Sequence, residues 1–244
     1  MKKKDVILKL DNVSYRYKDA KKDDYVFKNI NYEFSLGNVY SIVGRSGSGK
    51  TTLLSLISGL EKCEEGQILY KNKDLKKMDL DLYRNSDVGI VFQSYNLLPH
   101  LTAIENIILS MDISRQKIKD KKNKALELMK SVGLNENYQN RRVLKLSGGE
   151  QQRIAIARSL SYNPEIILAD EPTGNLDQET ENEILKILQN LAHKENKCVI
   201  IVTHSKNVSD ASDVVYELKK WEELNFSHFI FISKWIIFIN SIGK

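Results

Sequence analysis

The chain has 244 residues, enough for one sizeable α/β domain with subdomains inserted into it, and its formal net charge is only +5. Its two cysteines, Cys63 and Cys198, form no C-x-x-C pair, which argues against a zinc site and against a disulfide framework. Asp5, Lys9 and Asp11 interrupt the stretch where a secretory signal would need an apolar run, so we expect a protein of the reducing cytosol.

Short alternating apolar patterns occupy the N-terminal part of the chain. Residues 6–10, 13–17 and 26–34 are predicted as three strands, with residues 18–24 as a polar hairpin loop. Residues 67–70 can add a further strand. The pattern predicts a small antiparallel sheet that leads into the next part of the chain.

A glycine-rich loop follows the apolar run 39–43 and precedes a second apolar run at 52–57. It matches G-x-x-x-x-G-K-[ST] in the strand, loop and helix context that this motif requires, which makes a chance glycine-rich turn a poor alternative. Backbone N–H groups and the helix start can bind phosphate oxygens, while Lys50 would reach the β- and γ-phosphates and Thr51 would ligate Mg²⁺. The predicted nucleotide-binding residues of this segment are Gly44, Arg45, Ser46, Gly47, Ser48, Gly49, Lys50, Thr51 and Thr52.

The middle of the chain changes from a strand pattern to helical periodicity. Residues 88–92 are predicted as a strand that ends at the polar Gln93. From residue 102 to residue 162 apolar side chains recur at helical spacing, with Gly133 as a helix C-cap. We expect an inserted α-helical subdomain at about residues 95–162.

Two continuous apolar runs, 166–169 and 199–202, flank a helical stretch at 178–193. This arrangement is typical of buried parallel strands joined by a crossover helix. The predicted fold is therefore α/β, with a P-loop NTPase core and a mostly parallel sheet, an N-terminal antiparallel β subdomain and the inserted α-helical subdomain.

Polar residues follow both of these runs, at the sheet edge where ligands bind in open α/β folds. Asp170 would hold Mg²⁺, and Glu171 would orient and deprotonate the water that attacks the γ-phosphate. His204 follows the second run, and a ring N–H there can reach the same phosphate. An ordinary structural role at a strand end is the alternative for each of them, and also for Gln93.

The segment Leu146-Ser147-Gly148-Gly149-Glu150-Gln151-Gln152-Arg153 comes well after the phosphate loop. Ser147 and the backbone of Gly148 and Gly149 open a helical pattern, and they form a second anion-binding helix N-terminus. One nucleotide site has no need of two phosphate cradles.

With these motifs, the chain up to about Lys220 resembles the ATP-binding-cassette (ABC) ATPases. Residues 146–151 look like the signature motif of that family, Gln93 like its Q-loop glutamine, 174–177 like its D-loop, His204 like its switch histidine, and Tyr17 like the aromatic residue that stacks on adenine. The resemblance implies ATP and Mg²⁺ as cofactors, with Gln93 among the groups near the metal. A strand-face tyrosine beside Tyr15 is the alternative for Tyr17.

The resemblance also implies a homodimer of ATPase subunits. In the family, two subunits meet head to tail and form two composite ATP sites, so Ser147, Gly148 and Gly149 would bind the ATP held by the partner subunit. Hydrolysis then removes the charge that holds the dimer shut.

The subtype resembles the lipoprotein-release, macrolide-export and antimicrobial-peptide-resistance branch, on the basis of residues 92–102, Glu150 and residues 172–177. That resemblance implies a separate integral-membrane permease and a cytoplasmic protein, peripheral on the inner face of the cell membrane. The segment after Gln93 would form the groove for the permease, although Leu97, Leu98 and Leu101 can equally be core residues.

The family pattern ends at the C-terminus. Residues 213–220 fit a closing strand, so the ABC ATPase domain is predicted at 1–220, and residues 221–244 are an atypical apolar tail. That tail is too interrupted by polar residues for a spanning helix. It is compatible with an element packed on the core, an interfacial membrane contact, or residues without a selected structure.

Two other functions remain open on the sequence alone. A non-transport ABC ATPase acting on nucleic acid or ribosomes would share the motifs, but the chain shows neither a long coiled coil nor a second cassette, and no nucleic acid is expected. The basic segments 1–4 and 115–124 are of the kind that usually form solvated faces, with contact to anionic lipid or nucleic acid as the alternative. A P-loop kinase would leave the second phosphate cradle unexplained.

Overall fold

The computed structural model describes residues 6–21, 23–114 and 116–220, which form two β-sheets and seven α-helices. The strands are β1 (Val6–Tyr15), β2 (Phe27–Ser35), β3 (Asn38–Val43), β4 (Glu65–Tyr70), β5 (Lys73–Asp74), β6 (Val88–Val91), β7 (Ile166–Asp170), β8 (Cys198–Thr203) and β9 (Val214–Glu217). The α-helices are α1 (Lys50–Ile57), α2 (Leu80–Ser86), α3 (Ala103–Ile113), α4 (Lys121–Ser131), α5 (Gly148–Ser159), α6 (Gln178–His193) and α7 (Lys206–Asp210). Short 3₁₀ helices lie at Leu75–Lys77, Glu136–Tyr138 and Val143–Lys145.

The N-terminal strands form the predicted antiparallel sheet, with the order β2-β1-β4-β5. The expectation of separate strands at 6–10 and 13–17 is wrong, because β1 runs continuously through both apolar runs. Asn12 has a φ of 52°, and the register with β2 shifts between Leu10 and Val13. Asparagine tolerates this left-handed conformation, and the irregularity shifts the inward alternation by one residue. β1 ends at Tyr15, so Tyr17 lies beyond the strand rather than on its face.

The second sheet has the order β6-β7-β8-β3-β9, and its strand pairs are parallel. β8 is buried along its whole length, as its continuous apolar run predicts. Helix α6 connects β7 to β8, and its N-cap is Asp177, whose side chain accepts a hydrogen bond from the Thr180 N–H. The predicted α/β fold with a parallel core sheet and an antiparallel sheet is confirmed.

Three helices, α3, α4 and α5, lie in the chain between β6 and β7 and pack on one another. Helix α4 ends at Ser131 with Val132 as its C-cap, so the predicted cap Gly133, which has a φ of 80°, is the residue after the cap. The N–H of Leu134 donates to the Met129 carbonyl at 2.9 Å, and that of Gly133 donates to the Lys130 carbonyl at 3.0 Å, which satisfies carbonyls that the helix end would leave open. The limits of the helical subdomain at about 95–162, and of the whole domain at 1–220, stay predictions.

The parallel sheet separates two hydrophobic clusters. In β7, Ile167 and Ala169 pack into the cluster that contains α3, α4 and α5, whereas Ile166 and Leu168 pack into the cluster on the side of the antiparallel sheet. Alternate residues of a strand point to opposite faces, so one apolar run serves both clusters. With both faces covered, the carboxyl edge of the sheet is where polar side chains can gather.

Two observations concern membrane contact and the C-terminus. Within the described ranges, no helix combines the length and the apolar composition needed to cross a membrane. The closing strand predicted at 213–220 is present as β9. The predicted apolar tail at 221–244 lies outside the described residues.

Candidate active site

A cavity of about 860 Å³ lies at the carboxyl edge of the parallel sheet. This volume is within the range of roughly 300–1,000 Å³ that small-molecule and cofactor sites occupy. The residues that line it are Tyr17, Ala20, Asp24, Tyr25, Val26, Gly44, Arg45, Ser46, Gly47, Gly49, Lys50, Thr51, Thr52, Gln93, Asp170, Glu171, Val202, His204 and Lys220. Residues far apart in the sequence therefore meet in one cavity.

The glycine-rich loop forms one wall of this cavity and leads into helix α1. Gly49 has a φ of 94°, and a Cβ at this position would overlap the Val26 side chain, so the loop requires glycine there. Among the described residues no side chain caps α1, and its first turn holds no acidic residue. The Lys50 ammonium donates to the carbonyls of Gly44 at 2.9 Å and Arg45 at 3.2 Å. A helix N-terminus whose N–H groups have neither a side-chain cap nor an acidic neighbour among the described residues suits the phosphates of a nucleotide.

Ser48 differs from its neighbours in the loop. It is buried and stands apart from the cavity lining of the described residues, and its N–H closes a turn by donating to the Arg45 carbonyl at 3.1 Å. Its hydroxyl lies close to Gly44, 2.6 Å from where a Cβ on that glycine would be. Ser48 therefore helps to shape the loop, and its predicted contact with the nucleotide stays a prediction.

Asp170 stands at the end of β7, beside the loop. Burial raises the pKa of its carboxyl and the nearby Glu171 adds to that rise, whereas a hydrogen bond with Thr51 and the charge of Lys50 oppose it. The Thr51 hydroxyl and the Asp170 carboxylate are hard oxygen ligands of the kind that Mg²⁺ takes together with phosphate oxygens and water. The pair fits the metal that the motifs predict.

Glu171 and His204, predicted from separate strand ends, are in direct contact. The Nδ1 atom of His204 lies 2.7 Å from Oε1 of Glu171, and the Thr203 hydroxyl donates to Oε2 at 3.1 Å. The Glu171 side chain is 13% exposed and the His204 side chain is 71% exposed. An ionised carboxylate only accepts hydrogen bonds, so in a contact with ionised Glu171 the proton comes from Nδ1. Glu171 also has a φ of 45°, an uncommon backbone conformation for a non-glycine residue.

Tyr17 and Gln93 complete the predicted lining. Tyr17 is 56% exposed, and its hydroxyl lies 2.9 Å from the Thr52 hydroxyl. Its ring meets the buried Tyr15 edge to face, at 5.4 Å between centroids. The exposed Gln93 lies near Gly174, where an added Cβ would sit 3.1 Å from the Gln93 side-chain nitrogen. The cavity therefore has an aromatic surface beside the loop and an amide near the strand ends.

Ser147, Gly148 and Gly149 lie outside the cavity lining formed by the described residues. Ser147 is the N-cap of α5 and forms a capping box with Glu150: the Ser147 N–H donates to the Glu150 carboxylate at 2.7 Å, and the Glu150 N–H donates to the Ser147 hydroxyl at 3.3 Å. Burial alone would raise the pKa of Glu150, but hydrogen bonds from Ser147 and Tyr138 give a net lowering. The second predicted phosphate cradle is thus separate from the first within one chain.

Some residues of the site carry no motif. Asp24, Tyr25, Val26 and Lys220 line the cavity without any sequence signal that predicts it. Thr203 is 1% exposed and contacts Glu171, and its position at the end of β8 before His204 is the one signal that points to it.

The sequence has clear relatives among known proteins. Residues 27–174 match the family model described as "ABC transporter". The uncharacterized ABC transporter ATP-binding protein YclH of Bacillus subtilis is 47% identical over 214 residues, which cover 88% of this chain and 94% of that protein. The lipoprotein-releasing system ATP-binding protein LolD of Francisella tularensis is 38% identical over 218 residues, with the same coverage.

Solved structures share the fold. One is described as the dimeric structure of a post-hydrolysis state of the ATP-binding cassette MJ0796 bound to ADP and Pi, and its TM-score is 0.79 at 39% identity. It covers 87% of this chain and 94% of that chain. MJ0796 comes from Methanocaldococcus jannaschii. A second dimeric structure of the same cassette has a TM-score of 0.77.

Proposed function

The chain belongs to the ABC transporter family of ATP-binding proteins, and we propose that its ATPase activity powers a membrane export, lipoprotein-release or peptide-resistance complex. As an ABC ATPase, it binds ATP and hydrolyses it to ADP and phosphate. The observation that supports the proposal best is the cavity, in which the phosphate loop, Asp170, Glu171 and His204 lie at one sheet edge.

The phosphate loop and its neighbours would hold the nucleotide. The N–H groups at the start of α1 and the Lys50 ammonium would bind the β- and γ-phosphates. Thr51, Asp170 and Gln93 would hold Mg²⁺, which neutralises phosphate charge when it is bound. Tyr17 would stack on the adenine ring, since it is half-exposed at the same cavity.

Glu171 and His204 would act on the reacting groups. The Glu171 carboxylate would orient the attacking water and take up its proton. The Nδ1 side of the exposed His204 ring faces that carboxylate, so a hydrogen bond to the γ-phosphate would come from the Nε2–H of a ring that carries both protons. The contact between the two side chains would keep the Glu171 carboxylate at a fixed distance from the His204 ring, which binds the γ-phosphate in this proposal.

A homodimer would complete the site. Ser147, Gly148 and Gly149 would bind the ATP of the partner subunit, which agrees with the position of the α5 N-terminus outside the cavity of its own chain. Both related MJ0796 structures are described as dimeric. ATP would therefore belong to the dimer interface, and its hydrolysis would release the two subunits.

The transport partner would be a separate integral-membrane permease, with this protein on the cytoplasmic face of the membrane. The name of the LolD relative describes a lipoprotein-releasing system. In the segment after Gln93, Leu97 packs against the core, whereas Leu98 is 37% exposed. Leu98 is therefore the better candidate for a permease contact, because Leu97 is partly buried against the core.

The role of Glu171 can be tested with Glu171→Gln. The variant should still bind ATP, while its turnover should fall by about 100-fold to 1,000-fold because the base is lost. Glu179→Gln, at an exposed position on α6, is the matched control and should keep wild-type turnover. Unchanged hydrolysis by Glu171→Gln would remove Glu171 from the mechanism.

Purification from detergent-solubilised membranes tests the transport role. We expect an integral-membrane protein with a large extracytoplasmic domain to co-purify with the tagged ATPase. Salt-sensitive binding of nucleic acid, without any membrane partner, would favour the non-transport alternative instead.

A further inference from the structure

The Glu181 carboxylate in helix α6 joins two loops of the active site. Its Oε1 atom accepts hydrogen bonds from the Thr173 hydroxyl at 3.1 Å and from the Ser205 hydroxyl at 3.0 Å. Its Oε2 atom accepts one from the Gln178 amide at 3.0 Å. Thr173 lies two residues after Glu171, and Ser205 follows His204 directly. One carboxylate therefore connects the turn after the proposed base with the turn that carries the histidine.

A continuous series of hydrogen bonds leads from Glu181 to Glu171. Ser205 donates its hydroxyl proton to Glu181, and its N–H donates to the Thr203 hydroxyl at 3.0 Å. Thr203 in turn donates to the Glu171 carboxylate at 3.1 Å. Each hydroxyl has a single proton and gives it to a carboxylate, so the direction of the series is determined.

The backbone at Glu171 needs such support. A non-glycine residue with a φ of 45° is strained, and a strained conformation persists only where its surroundings hold it. Within the turn, the Gly174 N–H donates to the Glu171 carbonyl at 3.2 Å, and the Leu176 N–H donates to the Thr173 carbonyl at 3.1 Å. The buried Thr173 hydroxyl, bonded to Glu181, anchors this turn to helix α6.

We propose that Glu181 is a positioning residue for ATP hydrolysis, which keeps Glu171 and His204 in contact by holding Thr173 and Ser205 together. The inference rests on the role proposed above for Glu171. Glu181 lies outside the cavity lining formed by the described residues. Its loss should therefore lower turnover and leave the affinity for ATP unchanged.

The test compares Glu181→Ala with Glu179→Ala. Both residues are acidic and lie in the first turn of α6, so both variants lose the same favourable interaction with the helix dipole. We expect about a tenfold lower kcat for Glu181→Ala, because a misplaced base loses rate. The KM for ATP should stay the same, whereas the melting temperature should fall below that of Glu179→Ala, because the buried Thr173 hydroxyl loses its acceptor. Glu181→Gln should recover part of the rate, since an amide oxygen still accepts from Ser205.

A double variant tests the route through Ser205. If Glu181 acts through that hydroxyl, Ser205→Ala combined with Glu181→Ala should lose no more than the larger single effect. Independent, additive losses would contradict the route. A kcat equal to that of Glu179→Ala would overturn the proposal. If Glu181→Ala does not fold, Thr173→Val breaks one arm with little change of shape, and a wild-type kcat for Thr173→Val would overturn the proposal equally.

Glu171→Gln belongs in the same assay. Normal hydrolysis by Glu171→Gln would mean that the role proposed for Glu171 is wrong. Loss of hydrolysis in Glu171→Gln together with a normal Glu181→Ala would refute the positioning role alone.

Discussion

Helices α1 and α5 both begin in glycine-containing segments, yet they differ in the side chains that bond the free N–H groups of their first turns. At α1, the described residues supply no side-chain cap, and the first turn holds no acidic residue. At α5, Ser147 and Glu150 form a reciprocal capping box that brings a carboxylate to the first turn. The first N-terminus is ready to bind an anion, whereas the second already has one of its own.

The surroundings of the two helix N-termini also favour anion binding at α1 rather than at α5 within one chain. The start of α1 faces the cavity that also holds Asp170, Glu171 and His204, and the start of α5 lies outside that cavity. A helix N-terminus becomes a nucleotide site only when other elements complete it. For α1 the same chain supplies them, and for α5 we expect that a second chain does.

The largest expected effect comes from mixing two inactive variants. Lys50→Ala should disable the first cradle, and Ser147→Asp should place a repelling charge in the second while keeping a good helix N-cap. Each alone should lose about 100-fold in turnover, as is common when a group that stabilises the transition state is removed. A mixed dimer retains one site with both cradles intact, so mixing should restore up to roughly a quarter of wild-type activity.

The mixing experiment also has an outcome that would contradict the two-chain interpretation of α5. If both cradles served the ATP of a single chain, every site in the mixture would carry one defect. ATPase activity of the mixture would then equal the mean of the two variants, and the two-chain interpretation of α5 would be lost.

Tyr17 belongs only to the cavity at the start of α1, so a substitution there tests that nucleotide site separately from the α5 N-terminus. Tyr17→Ala should weaken ATP binding by about tenfold, in line with the usual contribution of base stacking. Tyr17→Phe should stay close to wild type, because only the contact with Thr52 is removed. Calorimetric titration with ATP and with inorganic tripolyphosphate measures both effects. A similar weakening of tripolyphosphate binding would contradict stacking on the base.

Glu150→Gln tests the charge at the second N-terminus. Glutamine also forms the capping box, so the substitution removes the negative charge and keeps the helix start. In a Glu171→Gln background, ATP-dependent dimerisation should tighten by roughly fivefold at low salt, since about 1 kcal/mol of repulsion is removed. Sedimentation at rising salt should show this gain fading as the charges are screened. Dimerisation that weakens instead would mean that the carboxylate helps to close the dimer.

The smallest effect is expected at Asp170, as a shift in stability. Burial raises the pKa of its carboxyl in the folded protein, so the ionised form opposes folding near neutral pH. Asp170→Asn should melt at a higher temperature than the wild type without nucleotide, and the gap should close as the pH falls and Asp170 takes up a proton. ATP with Mg²⁺ should reverse the order by stabilising the wild type. An equal melting temperature at all pH values would contradict this expectation.

Contiguous motifs predicted much of this protein. The strand, loop and helix around Lys50 follow from adjacent residues, and the apolar runs before Asp170 and His204 are long enough to predict buried parallel strands. The continuity of strand β1 is harder to predict from the sequence. The irregularity at Asn12 shifts the alternation of apolar residues and divides one strand into two apparent runs. A pattern of side chains does not reveal which backbone conformation joins two such runs.

The sequence by itself determined the chemical groups of the site, since the types and order of residues in a motif do not depend on distant contacts. Only the packing of strands and helices buries Ser48 outside the cavity lining of the described residues, separates the α5 N-terminus from the cavity, and connects Thr173 with Ser205 through Glu181. These features depend on how strands and helices pack in three dimensions. Hydrogen bonds between residues 8 and 24 positions apart leave no periodic or contiguous signal in the sequence.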